Sequence, residues 1–368
     1  MKRIFIVIGI FLLLGCEKEK IVEKLIEKEY AWTLHPNPDL KANQAILLNS
    51  YATEDYFFAV GYNTFTSMVS DSLVHPDAFG NNSNMVTYGS HRGVLSETKI
   101  LIDDDFFAYQ SVYGALVIHP NLNPITSGTW TYLRMEDIDS TFKRFYYVPS
   151  SLGNGLVVND KKQLLVPYVG KQATPTLLLL DLKPNTDDLR LVRIDTSRTQ
   201  KITIPRVSHA ILPGSFHSIG NNFYFSFYHT YRLNSNGEIK VVLDNISISD
   251  FVKDGANIYG IGYGKLYKSI DDGINWSEVQ NLQAYDFELM DYSKVGDKII
   301  AYYKYGQIFE LTFGPTGIEQ SRELENDGLQ GKYITSVTEF QGKVYVTTYS
   351  GLYYRNIDDF FKDKKKDK

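Results

Sequence analysis

Three segments in the last third of this chain repeat one pattern at nearly constant spacing, and that repetition limits the fold more than any other feature. Asn257-Ile258-Tyr259 leads to Tyr263-Gly264-Lys265-Leu266-Tyr267, Asp297-Lys298-Ile299-Ile300 to Tyr305-Gly306-Gln307-Ile308-Phe309, and Gly342-Lys343-Val344-Tyr345 to Tyr349-Ser350-Gly351-Leu352-Tyr353. In each unit a polar turn starts one strand, and a glycine-bearing turn starts the next with an aliphatic-aromatic pair. Leu266, Ile308 and Leu352 correspond, at spacings of 42 and 44 residues. A unit of this size cannot bury its apolar face alone and must stack on its neighbours.

Blurred copies precede these three. Asn221-Asn222-Phe223-Tyr224-Phe225, Lys162-Gln163-Leu164-Leu165-Val166, Asp105-Phe106-Phe107-Ala108 and Asp55-Tyr56-Phe57-Phe58 read as the same strand start. That gives seven starts, near 57, 106, 164, 223, 258, 299 and 344. Residues 41–358 divided by seven give about 45 per unit, the size of a four-stranded propeller blade. The expected fold is therefore all-β, a β-propeller of seven blades; six or eight stay open because the two longest intervals have room for further strands. A two-sheet sandwich is the runner-up, but it predicts no such period. The 27 Tyr, 21 Phe and 3 Trp suit half-buried pleated surfaces, with sugar-stacking platforms as the second account. The last unit offers only three strands, Ile334 to Phe340, Lys343 to Thr348 and Leu352 to Arg355. A strand near Gln44 to Asn49 is expected to supply the fourth and remove the exposed edge.

The N-terminus is different material. Lys2 and Arg3 precede a run from Ile4 to Leu14 that is apolar apart from Gly9, too short to cross a bilayer, which takes about 20 residues. It reads as the core of a secretory signal. Leu13-Leu14-Gly15-Cys16 resembles a bacterial lipobox, and Cys16 is the only cysteine. The resemblance implies removal of residues 1–15 and lipidation of Cys16, which ties the protein to a lipid bilayer; the alternative is an ordinary signal with an incidental thiol. Residues 16–40 read as a tether. Ile21 and Leu25 would form an apolar helical stripe with Val22 and Ile26, but Lys20, Lys24 and Lys28 stack like charges at the same period. Pro36 and Pro38 mark its end. Glu17 rather than Asp follows Cys16, so outer-membrane placement in the cell envelope is expected, and Glu17 to Lys20 loosely resembles surface-export signals of Bacteroidetes lipoproteins. Residues 359–368 read as a charged, solvated tail.

One motif is specific. Ser269-Ile270-Asp271-Asp272-Gly273-Ile274-Asn275-Trp276 directly follows a repeated strand and fits the pattern Ser-x-Asp-x-Gly-x-Asn-Trp. It resembles the Asp-box hairpin of sialidase-type and sortilin-type propellers. The resemblance implies a structural turn on the periphery: Asp271 accepting backbone N–H bonds, Gly273 at positive φ and Trp276 folded over the hairpin. A cation held by Asp271 and Asp272 would need more oxygen ligands than the turn supplies. Asn234-Ser235-Asn236-Gly237 is a weaker likeness at the equivalent turn one unit earlier.

Signals for chemistry are sparse. A net charge of −5 argues against nucleic acid as a partner. Sialidase activity would need converging arginines and an Arg-Ile-Pro signature; Ile204-Pro205-Arg206 has the wrong order, and Arg92, Arg134, Arg206, Arg232 and Arg355 are scattered. His209, His217 and His229 are near enough in sequence to meet at a ring mouth, though separate loop positions explain them as well. Asp103-Asp104-Asp105 reads as a solvated turn, and the polar stretch from Tyr62 to Arg92 as a long loop, for binding or merely inserted. No phosphate-cradling glycine loop, GxSxG elbow or catalytic cysteine is present, and nothing calls for a cofactor or metal. The expected role is a binding or scaffolding module for a protein or glycan at one propeller mouth. A glycan-cleaving envelope enzyme with its site at the same mouth is the alternative.

Overall fold

The computed structural model describes residues 31–35, 46–54, 57–61, 65–69, 72–75, 101–102, 106–110, 115–120, 131–140, 156–169, 175–184, 192–207, 216–282 and 287–364. Cys16, residues 17–30, Pro36, Pro38, Arg92, Asp103-Asp104-Asp105 and His209 lie outside them. So does most of the 62–92 stretch, except Phe65–Val69 and Ser72–His75, which are strands of the first sheet rather than loop.

Seven four-stranded antiparallel sheets follow one another along the described residues. Within each of the first six, the four strands are hydrogen-bonded in chain order. The second strands are Phe57–Gly61, Phe106–Gln110, Gln163–Val169, Asn222–Phe227, Asn257–Gly262, Lys298–Tyr303 and Lys343–Thr348. These begin where the seven starts were expected. The two long intervals hold no further sheet among the described residues; the second holds an enlarged hairpin, Pro175–Pro184 with Val192–Thr203.

Packing between sheets explains why the second strands read so clearly. Leu165, Leu177 and Leu179 of the third sheet bury against Phe223, Phe225 and Tyr231 of the fourth. Val252, Tyr259 and Ile261 of the fifth meet Ile299, Ala301 and Leu311 of the sixth. Ile300 and Ile308 of the sixth meet Val337, Val344 and Val346 of the seventh. Phe340, Tyr345 and Leu352 of the seventh then bury against Leu47, Phe57 and Ala59 of the first, so the last sheet packs on the first. A strand covered on both faces needs an unbroken apolar run, and each large side chain so buried stabilises by about 1.5–3 kcal/mol.

The seam is closed by a different segment from the one expected. Thr33–Leu34 pairs antiparallel with Gly351–Asn356, Thr33 opposite Tyr354 and Leu34 opposite Tyr353. Leu47–Ala52, which overlaps the expected closing strand, is instead the innermost strand of the first sheet. Trp32 beside the closing strand is buried, and its Nε1 donates to Glu325 O at 3.1 Å. The ordered body also continues past residue 358. A short helix, Ile357–Phe360, buries Phe360; Asp363 bridges Leu324, and Lys364 Nζ donates to Glu323 Oε1 at 2.7 Å. Residues 359–364 are thus strapped to the sixth sheet, because Phe360 supplies an apolar anchor inside an otherwise charged stretch.

Candidate functional site

The hairpin over residues 269–276 joins the third and fourth strands of the fifth sheet. Ser269 Oγ donates to Asp271 Oδ1 at 2.8 Å and accepts from Gly273 N–H at 2.9 Å. Asp271 accepts from Asn275 N–H at 2.9 Å and from the Asn275 amide at 2.7 Å, while Trp276 Nε1 donates to Gly273 O at 3.1 Å. Asp272 and Gly273 both take positive φ, +59° and +73°. All of Ser269, Asp271, Gly273 and Trp276 are thereby engaged within the turn.

Its outer contacts run to the preceding sheet. Tyr224 Oη and Arg232 Nε each donate to Asp272 O at 2.8 Å, and Asn222 Nδ2 donates to Asp272 Oδ2 at 2.8 Å. The Trp276 ring meets Tyr224 and Phe251 edge-on at 6.5 and 6.0 Å. One sheet further, Tyr259 repeats the link by donating to Gly314 O at 3.1 Å. Tyr224 and Tyr259 are both third residues of their second strands, so a tyrosine latch from one sheet to the next sheet's outer hairpin recurs. Burial pushes the Tyr224 phenol up to about 12, which keeps it a donor. Removing its hydroxyl in Tyr224→Phe is expected to cost about 1 kcal/mol in urea unfolding, whereas the same change at exposed Tyr228 should cost nothing measurable.

The Asp271 carboxyl is held down to about 2, first by the Asn275 backbone N–H, then by the Asn275 amide and the Ser269 hydroxyl. A folded-state pKa below the unfolded one adds stability that is present above about pH 4 and lost as pH falls toward 2. The stability advantage of the native chain over Asp271→Asn should therefore shrink over that window in acid titrations of the two proteins. A gap that persists unchanged to pH 2 would assign the role to packing.

Other residues singled out in the sequence do not assemble. His217 lies 3.3 Å from Asp250, and His229 accepts from Asn245 N–H through Nδ1, at the turn where Asp244 pairs with Arg206. No group of three His, Cys, Asp or Glu side chains able to hold a metal occurs among the described residues. Arg206 pairs with Asp244, Arg232 sits on the 269–276 hairpin, and buried Arg355 donates to Glu325 O at 3.0 Å. Arg134 is exposed on the second sheet. Arg134, Arg232 and Arg355 belong to three different sheets, and Arg206 lies outside the strands.

What does assemble is a set of tyrosines at the turns between second and third strands, at the end of each sheet opposite the 269–276 hairpin. In the fourth sheet Phe227 pairs with His229 and leaves Tyr228 at the tip, 69% exposed with φ +57°. In the fifth, Tyr263 is 62% exposed with φ +53°. In the sixth, Tyr305 is 65% exposed. In the seventh, Tyr349 stacks on Tyr333 at 4.2 Å and 7°. Lys304, from the sixth-sheet turn, lies 5.6 Å over the Tyr333 ring, so turns of adjacent sheets meet on one side of the ring.

These tips are anchored. Glu288 accepts from Tyr263 N–H and Gly264 N–H at 3.0 and 3.1 Å. Gly331 N–H donates to Tyr305 O at 3.2 Å, Tyr349 N–H to Tyr333 O at 3.2 Å, and Asn245 N–H to His229 Nδ1 at 3.0 Å. Left-handed backbone costs an L-residue about 1–2 kcal/mol, and a large ring at such a position persists only where its surroundings fix it. The sequence carries Tyr263, Tyr305 and Tyr349 in its repeat, but only exposure separates a displayed ring from a packed one.

No protein-family model matches the chain, and no curated protein matches it in sequence. Solved structures do. A catalytically inactive virginiamycin B lyase from Staphylococcus aureus, with quinupristin, superposes with a TM-score of 0.56 at 9% identity, over 89% of this chain and 98% of that one. The Neurospora crassa Pan2 WD40 domain superposes at 0.51 and 8% identity, over 92% and 99%. The fold is a β-propeller. At such identities the likeness describes the scaffold, and activity has to be argued from the site. In propeller terms, the tyrosine tips form a rim on one mouth, and the 269–276 hairpin clamps two blades on the other side.

Proposed function

We propose that this chain is a lipid-anchored cell-envelope propeller that binds a protein or glycan partner on its tyrosine-tipped mouth. One observation carries the reading: in four consecutive blades the same turn bears a tyrosine, three of them more than 60% exposed and two in left-handed backbone. Exposed rings on rigid turns offer large contact area with little conformational entropy left to lose. Lipidation at Cys16, with placement on the outer membrane, is the companion proposal and rests on the run ending in Leu13-Leu14-Gly15-Cys16. Two carboxylates at this mouth anchor its turns: Glu288 holds two N–H groups, and Asp244 pairs with Arg206.

The test compares full-length protein with a Tyr228→Gly, Tyr263→Gly double variant, both in detergent, against arrays of envelope glycans and of purified envelope proteins. Glycine relieves the strained backbone, so the variant should fold with stability unchanged or raised by about 1 kcal/mol. It should nevertheless lose about tenfold in affinity for whatever the native chain retains. Equal retention by the two proteins would remove the mouth from the reading, and sugar release from the array would assign an enzyme. Globomycin-sensitive processing and mass spectrometry of Cys16 test the anchor separately.

A further inference from the structure

Away from the tyrosine mouth, the third blade departs from the others. Its third and fourth strands, Pro175–Pro184 and Val192–Thr203, are the longest in the molecule among the described residues. Pairing runs from Leu179 opposite Gln200 directly to Asp181 opposite Asp195, so residues 196–199 bulge out against the single Leu180. Such bulges re-aim side chains and interrupt an edge. This one is ordered by Asp195, which accepts from Ser197 N–H at 3.2 Å and from Lys183 Nζ at 2.8 Å.

Between the bulge and the outer hairpin of the fourth blade lies a groove of about 820 Å³. Its floor is a fixed polar network. Asn159 Nδ2 donates to Gln163 Oε1 at 2.8 Å, and Gln163 Nε2 donates to Asp181 Oδ1 at 2.8 Å and Ser235 O at 3.0 Å. Gly237 takes φ +85°, and the end of the Gln200 side chain lies over it, 1.9 Å from where a Cβ would stand. Four cationic side chains line the groove (Lys161, Lys162, Lys183 and Arg198); Asp181 in the lining and Asp195 beside it, 2.8 Å from Lys183 and 3.8 Å from Arg198, offset two of them and leave a surplus of two. Lys161 gives its ammonium to the neutral Ser235 hydroxyl at 2.9 Å, and Arg198 stands 3.6 Å from Asp181.

The geometry points to an anion-binding groove for an oligosaccharide that carries carboxylate groups. The volume suits a few sugar rings. The surplus positive charge calls for an acidic ligand, and Arg198 has the planar donor set that fits a carboxylate. Hydroxyls and amides of Ser197, Thr199 and Gln200 match sugar hydroxyls, while Leu182 is the sole apolar residue in the lining and is buried. An acidic peptide fits less well. It would need side-chain pockets or a free strand edge, and the bulge at 196–199 breaks the outer edge where a strand would add.

Calorimetry on the full-length protein in detergent tests this with trigalacturonate, with maltotriose and hexaglutamate as comparisons. Trigalacturonate should bind, more weakly as salt rises, and should lose about tenfold in Lys161→Gln, Arg198→Gln, a variant whose exposed substitutions leave the melting temperature nearly unchanged. The Tyr228→Gly, Tyr263→Gly variant should bind it like the native chain, which separates this groove from the proposed mouth. Absence of trigalacturonate binding, equal affinity in the charge variant, or equal binding of maltotriose would overturn the inference. Equal binding of hexaglutamate would reassign the groove to acidic peptides.

Discussion

Replacing Trp32 with alanine should lower the free energy of unfolding by about 3–5 kcal/mol, the largest single-residue effect expected in this chain. Trp32 sits beside the strand that closes the ring among the described residues, and that strand, Thr33–Leu34, has just two residues of register with which to hold itself. Its indole compensates. The ring packs edge-on to Phe360 at 5.9 Å within the cluster of Val295, Leu324, Leu329 and Tyr353. Its Nε1 donates to Glu325 O, and its backbone N–H donates to Asp327 O, each at 3.1 Å. Truncation leaves a cavity, removes one of the two donors to Glu325 O (Arg355 is the other), and frees Gly351–Asn356 as an open edge. Urea unfolding should register the loss, and hydrogen exchange should show protection falling first along residues 351–356. A loss below about 1 kcal/mol with that protection intact would mean that something other than residues 31–35 holds the seam.

The same residue shows where sequence reading stops. Strand starts at Phe57, Phe106, Leu164, Phe223, Ile258, Ile299 and Val344 were legible because each lies in a strand sandwiched between sheets, where every side chain must be apolar or paired. Thr33 and Leu34 are exposed, so their strand leaves no alternation to detect; Leu47–Ala52 carries a buried Leu47 but belongs to the first blade. The enlarged hairpin of the third blade was hidden for a related reason. Its bulge is fixed by the polar pairs of Asp195 with Lys183 and Ser197, and polar pairs have no periodic signature.

For the functional surface the division is sharper. Ser269, Asp271, Gly273 and Trp276 announce their turn because every bond they make is local, within five residues in the chain. Its partners Asn222, Tyr224 and Arg232 come from another blade and could not be read beforehand. Tyr263 and Tyr305 were visible only as members of a repeat, and Tyr228 lies just past the strand start at 221–225. What distinguishes them is their exposure among the described residues, a property of the assembled ring.

Gly273→Ala puts the interblade clamp to its strongest test. A Cβ at residue 273 would stand 2.3 Å from Cε1 and 2.5 Å from Oη of Tyr224, and the backbone there already has φ +73°. Tyr224 cannot swing aside freely, because it is fully buried and its ring packs on Phe251 at 5.4 Å. Strain of left-handed backbone adds to displacement of a packed ring, so the loss should reach about 3 kcal/mol. The two contributions separate in a double-mutant cycle. With Tyr224→Leu as background the ring is gone, and Gly273→Ala should cost only the backbone strain, about 1 kcal/mol. The difference of about 2 kcal/mol is the coupling between blades four and five through this hairpin. Additive losses would show that the hairpin stabilises only itself, and the recurrence of the latch at Tyr259 and Gly314 would then be a geometric coincidence of the fold.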